Sequence, residues 1–165
     1  MAILPTGCKR QPEPGPVEDT PAPYVAPTPT PKPEAVEPAI TEEELRRRYE
    51  EEKERTLQDV NFDFDRWNLS IRARALLSAV GDWLLSNADV KLLIEGHCDE
   101  RGSSEYNLAL GQKRANAAKE YLVDFGIAGD RLSTISYGEE RPLDPRSTED
   151  AWSLNRRAHF VVIEE

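Results

Sequence analysis

A chain of 165 residues, 38% hydrophobic and 32% charged, has room for one core of ordinary size plus an appendage, and not for two complete cores. Its formal net charge of −10 is shared evenly, −5 before residue 60 and −5 from there on, so no basic stripe is available to neutralise phosphates and nucleic acid is excluded as a partner. No run approaches the ~18 apolar residues of a membrane span.

Eleven of the thirteen prolines lie at or before Pro38, whereas nearly all regularly spaced Leu, Ile, Val and aromatic residues follow Val60. Residues 60–165 therefore carry the fold. Residues 1–8 end in Thr6-Gly7-Cys8 and are too short for a complete signal peptide. They read either as a cloning remnant or as the tail of a bacterial lipoprotein signal, in which small residues precede a cysteine that becomes lipidated. Residues 9–40 repeat Pro-Ala-Pro and Pro-Thr-Pro steps that bury nothing and favour extended polyproline II, so they are expected to be a disordered linker. Cys8 and Cys98 sit in segments of different character, and no disulfide is expected between them.

Thr41 followed by Glu44 forms a capping box, and Glu-Arg pairs four apart predict a charged helix over 41–58. Leu45, Tyr49 and Leu57 give it too thin an apolar stripe for a core. A short strand over 60–64 follows, then a core helix over 70–87 with Ala73, Leu76, Leu77, Val80, Trp83 and Leu84 on one face. Residues 90–97 read as a buried strand and 98–104 as a charged loop. A long helix over 105–125 presents Tyr106, Leu110, Ala117, Ala118, Tyr121 and Phe125 inward and stops at Gly126. Strands over 132–137 and 157–163 complete a βαβαββ order, which predicts an α/β (α+β) sandwich with helices on one face of a mixed sheet.

Arg114 breaks the pattern of the long helix. It lies four residues after Leu110 and four before Ala118, which puts a permanent charge on or beside the apolar face. Such a group needs an anion, supplied either by an internal carboxylate or by a bound ligand. Candidates for the same place are the loop Asp99-Glu100-Arg101 at the C-terminal end of a buried strand, and the pair Asp63 and Asp65 flanking Phe64. Carboxylates and arginines at one sheet end suit a zwitterion.

The blocks Gly96-His97-Cys98-Asp99-Glu100-Arg101-Gly102, Glu105-Tyr106-Asn107-Leu108-Ala109-Leu110-Gly111 and Arg114-Ala115 resemble the signature of OmpA-like domains. Phe62-Asp63-Phe64-Asp65, Ser136-Tyr137-Gly138 and Asn155-Arg156-Arg157-Ala158 bring the resemblance closest to the peptidoglycan-associated lipoproteins of Gram-negative bacteria, over residues 60–163. His97 and Cys98 depart from it, Cys98 standing where the family commonly has Thr or Ala.

The resemblance implies non-covalent binding of peptidoglycan through the diaminopimelate of its stem peptide, with no catalysis, cofactor or metal. Asp99 would take the ligand ammonium and Arg114 a carboxylate. Phe64, Asp65, Cys98, Arg101, Asn107 and Leu110 would line the pocket. It further implies lipidation at Cys8, a place on the periplasmic face of the outer membrane, and a partner like the periplasmic propeller TolB in a Tol-Pal system. A hydrolase or metal enzyme built on His97, Cys98, Asp99 and Glu100 is disfavoured, because neighbours on a strand point to opposite faces and zinc ligands are usually two or more residues apart. His159, between apolar residues of the last strand, reads as a structural histidine.

Overall fold

The computed structural model describes residues 40–163. The proposed lipidation site Cys8 and the Pro-rich segment lie outside them.

Helix α1 (Glu42–Thr56) starts where Thr41 accepts a hydrogen bond from the Glu44 backbone N–H, as the capping box predicts. It buries no residue of its own, and its surface carries the Arg48–Glu44 pair at 3.2 Å and an Arg47–Glu51 pair at 3.6 Å. Only Tyr49 and the following Leu57 reach the core, Tyr49 lying 5.8 Å from the Trp83 ring of the next helix. That helix, α2 (Ile71–Ser86), is capped by Ser70 and buries Ala73, Leu77, Val80, Trp83 and Leu84.

Strands β1 (Val60–Asn61), β2 (Lys91–His97), β3 (Leu132–Gly138) and β4 (Arg157–Ile163) form one sheet in the order β1-β4-β2-β3. β2 runs parallel to β3, and β4 runs antiparallel to both β1 and β2, which makes the mixed sheet that the sequence predicts. The parallel pair is joined by helix α3 (Ser104–Phe125) and a 3₁₀ turn, Gly129–Arg131. The helices and the sheet close on one core that includes Leu77, Leu84, Leu92, Ile94, Leu122 and Phe160.

Three expectations change. The first strand is two residues long rather than five. After Phe62 donates its N–H to the Arg156 carbonyl at 2.9 Å, the chain leaves the sheet, turns through an Arg66 N–H to Asp63 carbonyl bond, and passes Asp65 at φ 54°. The alternation Phe62-Asp63-Phe64-Asp65 mimics a strand, but it forms a wall beside α3. A short helix, α4 (Glu149–Asn155), capped by Thr148, is absent from the βαβαββ reading because seven residues carry too little periodicity to register. Finally, the buried face of α3 is Asn107, Leu110, Gly111, Arg114, Ala115, Ala118 and Leu122. Tyr106, expected inside, is half exposed. The stripe is rotated because glycine and alanine, not the aromatics, make the closest approach to the sheet.

That approach is set by two glycines. A Cβ on Gly96 would stand 1.9 Å from the Gly111 carbonyl oxygen, so α3 rests backbone to backbone on β2. Arg114, one turn further along, is thereby held over the end of β2.

Candidate functional site

Loop 98–103 leaves the C-terminal end of β2, tied to the end of β3 by the Cys98 N–H donating to the Gly138 carbonyl at 2.7 Å. Ser103 then caps α3 by accepting from the Tyr106 backbone N–H. Between this loop, the first turns of α3 and the 62–66 wall lies an open cavity of about 420 Å³. All eight residues named from the sequence line it: Phe64, Asp65, Cys98, Asp99, Arg101, Asn107, Leu110 and Arg114. Gly102, Ser103 and Tyr106 line it too.

Arg114 is fully buried, yet among the described residues its guanidinium has only neutral hydrogen-bond partners. It donates to the carbonyls of Arg66 (2.9 Å), His97 (2.8 Å) and Asp63 (3.2 Å), and to Cys98 Sγ (3.3 Å). Neither Asp63 nor Asp65 pairs with it through a side chain, so the internal salt bridge left open by the sequence is not what satisfies this charge. Burial depresses the Arg114 pKa, against the attraction of Cys98 and Asp99, and the group remains a cation as guanidinium does in proteins. Three carbonyl dipoles orient it without neutralising it. Its Cζ lies 5.3 Å from the Phe62 ring centroid.

Asp99 is also buried, at 3% exposure, but its oxygens are heavily used. Oδ1 accepts from the Arg101 backbone N–H (3.1 Å) and Nε (3.3 Å), while Oδ2 accepts from Arg101 Nη2 (2.7 Å) and Arg156 Nη1 (3.1 Å). Burial alone would raise the Asp99 pKa. The hydrogen bonds from Arg101 and then Arg156 outweigh it and hold the carboxyl below its ordinary range.

The Arg101 guanidinium is sandwiched, with its Cζ 4.0 Å from the Phe64 ring centroid and 4.1 Å from that of Trp152. Asp65 is less engaged, accepting a short hydrogen bond from the Tyr106 hydroxyl, and that bond raises the tyrosine pKa. Asp65 also carries the left-handed backbone noted above, which a non-glycine residue adopts at a cost and which recurs at ligand sites.

Two of the eight residues are walls rather than free donors. The Asn107 side-chain amide is spent on Glu139 Oε2 (2.6 Å) and the loop carbonyls of Asp99 (3.2 Å) and Arg101 (3.3 Å), which fastens the loop to α3. The Cys98 thiol donates to the Asn107 carbonyl at 3.3 Å, and burial pushes its pKa up to about 11 despite the nearby Arg114. A thiol so protonated is a poor nucleophile. His97 offers no base, since its ring stacks on Tyr137 at 5.6 Å and burial pulls its pKa down to about 4. Among the described residues no three His, Cys, Asp or Glu side chains are placed to hold a metal.

Sequence reasoning missed Tyr106, Trp152, Glu149 and Arg156. Arg156 donates to the Phe62 carbonyl, Asp99 and Glu149, so it braces the site from beneath. Its signal was visible as paired arginines at the start of a strand. The partner could not be read without the fold.

The family model described as the OmpA family matches residues 61–156. The peptidoglycan-associated lipoprotein of Rhizobium meliloti is 46% identical over 101 residues, covering 61% of this chain and 57% of that protein. The protein of the same name from Pasteurella multocida is 44% identical over 99 residues, covering 60% of this chain and 66% of that protein. The matched region thus spans less than two thirds of these relatives. A crystal structure of the peptidoglycan-associated lipoprotein from Burkholderia pseudomallei superposes with a TM-score of 0.63 at 40% identity, covering 64% of this chain and 90% of that one. The C-terminal domain of Helicobacter pylori MotB, at 16% identity and a TM-score of 0.62, shares the fold alone. No described helix is long and apolar enough to cross a membrane. Family model, sequence and structure agree: the chain belongs to the OmpA family, and its folded domain is of the kind found in the peptidoglycan-associated lipoproteins.

Proposed function

We propose that the domain binds peptidoglycan without covalent chemistry, the cavity taking the diaminopimelate of the stem peptide. The observation that carries this is Arg114: a buried guanidinium, held only by neutral acceptors, opening onto a cavity whose other charged groups include Asp65 and Asp99. The free end of diaminopimelate bears a carboxylate and an ammonium on one carbon. The carboxylate meets the Arg114 N–H left free on Nη2, and the ammonium turns to Asp99, with Asp65 beside it. Leu110 and the Phe64 ring cover the aliphatic chain between the two ends of the ligand. Charge-assisted hydrogen bonds contribute roughly 1.5 to 3 kcal/mol each, so two or three select the ligand while leaving it releasable. The name of the relatives supports the same reading.

In this reading the protein is not an enzyme. It ties the outer membrane to the cell wall from the periplasmic side, anchored by lipid at Cys8, and belongs to a Tol-Pal-type system with a propeller like TolB as partner. Several acyl chains at ~0.8 kcal/mol per buried CH₂ make such an anchor effectively permanent.

The test is co-sedimentation of the purified protein with peptidoglycan, competed by free diaminopimelate. Loss of sedimentation on adding diaminopimelate supports the reading. Sedimentation insensitive to diaminopimelate removes the proposed ligand, and no sedimentation at all removes the function.

A further inference from the structure

Asp99 presents a difficulty for any ligand ammonium. A carboxylate has about four acceptor positions, and here all four are filled: three by Arg101, through its backbone N–H, Nε and Nη2, and one by Arg156. The Arg101 side chain therefore already stands where a ligand cation would go. Unlike Arg156, which is buried and also fixed to the Phe62 carbonyl, the Arg101 side chain is 31% exposed and its other ion pair among the described residues is a looser one, with Glu149 at 3.6 Å. The rings of Phe64 and Trp152 also hold its guanidinium, by contacts that do not themselves involve Asp99.

We propose that Arg101 is a built-in competitor for the ligand ammonium: it occupies Asp99 in the empty pocket and is displaced along the Phe64–Trp152 sandwich towards Glu149 when an ammonium arrives. This rests on the diaminopimelate reading above and adds a specificity device to it. The exchange conserves charge at Asp99, one cation replacing another while Arg156 stays in place, so neither state leaves a buried carboxylate unpaired. The ligand ammonium gains only the difference between its own bond and that of Arg101. A lone ammonium, without a carboxylate to engage Arg114, lacks the second contact needed to win the exchange. The pocket thereby responds to the two charges together and rejects simple amines, which is discrimination by competition rather than by added contacts.

The experiment uses two probes, an N-acetylmuramyl tripeptide ending in diaminopimelate and its counterpart ending in 2-aminopimelate, which keeps the distal carboxylate and lacks the distal ammonium. With wild-type protein, the ¹⁵N resonance of Arg101 Nε shifts on titration with the first probe and stays in place with the second. In Arg101→Gln, Asp99 has open acceptor positions, so affinity for the first probe rises several-fold while that for the second does not rise. Arg101→Lys, a cation without the fork, falls between. If wild type binds the first probe with the Arg101 resonance unmoved, or if Arg101→Gln weakens both probes equally, Arg101 is a fixed wall and the competitor role is wrong. Binding of neither probe by wild type would instead remove the diaminopimelate reading itself, on which this one stands. The wild-type titration decides the point even if a variant fails to fold.

Discussion

Gly96 of β2 and Gly111 of α3 touch through their backbones, and each leaves no room for a side chain: a Cβ on Gly111 would lie 2.3 Å from Ser136 Oγ and 2.9 Å from the Gly96 carbonyl oxygen. This contact sets the height of α3 above the sheet and hence the position of Arg114 at the cavity floor. In Gly96→Ala the obstacle is backbone, which cannot rotate away. The substitution is expected to lower stability by about 1 to 3 kcal/mol, the usual range for overpacking, and to weaken peptidoglycan binding further than the loss of folded protein accounts for. Chemical denaturation alongside sedimentation separates the two, and a variant as stable as wild type would show that α3 is free to lift.

Cys98 is expected to resist alkylation in the folded protein. Its thiol is 3% exposed and has its pKa pushed to about 11 by burial, so both access and thiolate are scarce at neutral pH. In a Cys8→Ser background, iodoacetamide labelling monitored by mass should track global unfolding. Fast labelling of native protein would mean that the loop after β2 opens on its own.

The sheet, α2 and the charged helix were legible because each has either strong periodicity or a capping signal, and Thr41 caps α1 as the sequence predicts. Of the eleven residues that line the cavity, eight were named in advance: Arg114, Asp99, Arg101 and Asp65 from helical position and clustered charge, and the rest through family resemblance, which carried information about ligand chemistry that periodicity lacks. What could not be read was which charge pairs with which. Arg114 is satisfied by carbonyls of Asp63 and Arg66, and a backbone carbonyl leaves no mark on sequence. Asp99 is gripped by Arg156, 57 residues away, an encounter created only when β4 enters the sheet between β1 and β2. Tyr106 was assigned inward because tyrosine counts as apolar in a helical stripe, whereas its hydroxyl reaches Asp65 at the cavity edge.

Stability should fall steadily from pH 7 to 4, and His97 is the main source. Its ring is 1% exposed with neither nitrogen hydrogen-bonded, and the Glu95 carboxylate, at 3.5 Å from Nε2, is out of alignment. Burial and then the charge of Arg157 lower its pKa from 6.5 to about 4. The unfolded chain therefore binds this proton first, and acidification between those values favours unfolding by up to about 3 kcal/mol. Asp99, whose pKa is also lowered, adds to the loss at still lower pH, where its carboxylate is protonated. His159 has the opposite sign. The Asp59 hydrogen bond at 2.6 Å raises its pKa, so its contribution is complete below its unfolded value and fades as pH rises through the folded one. His97→Phe keeps the stack on Tyr137 and removes the titrating group. Thermal melts should show it near wild type at pH 7 and more stable at pH 5, and parallel pH profiles for the two proteins would clear His97 of the effect.

Arg114 must be judged as both brace and ligand contact, because the same guanidinium donates to three backbone carbonyls and faces the cavity. Arg114→Ala orphans those carbonyls, at about 1 to 3 kcal/mol for a buried polar group left unsatisfied, so it is expected to melt earlier and to lose binding by tenfold or more. Falling stability alone would not distinguish a scaffold from a site. Arg114→Lys does, since an ammonium keeps the charge and some carbonyl contacts but lacks the N–H left free on Nη2 for a carboxylate. It should recover most of the stability and little of the binding. The decisive reading is ligand-induced stabilisation: a diaminopimelate muropeptide raises the wild-type melting temperature, in proportion to the logarithm of its concentration over Kd, and leaves Arg114→Lys where it was. If the lysine variant is stabilised by the muropeptide as much as wild type, that N–H has no role in binding, and Arg114 is a strut that holds the 62–66 wall to the end of β2.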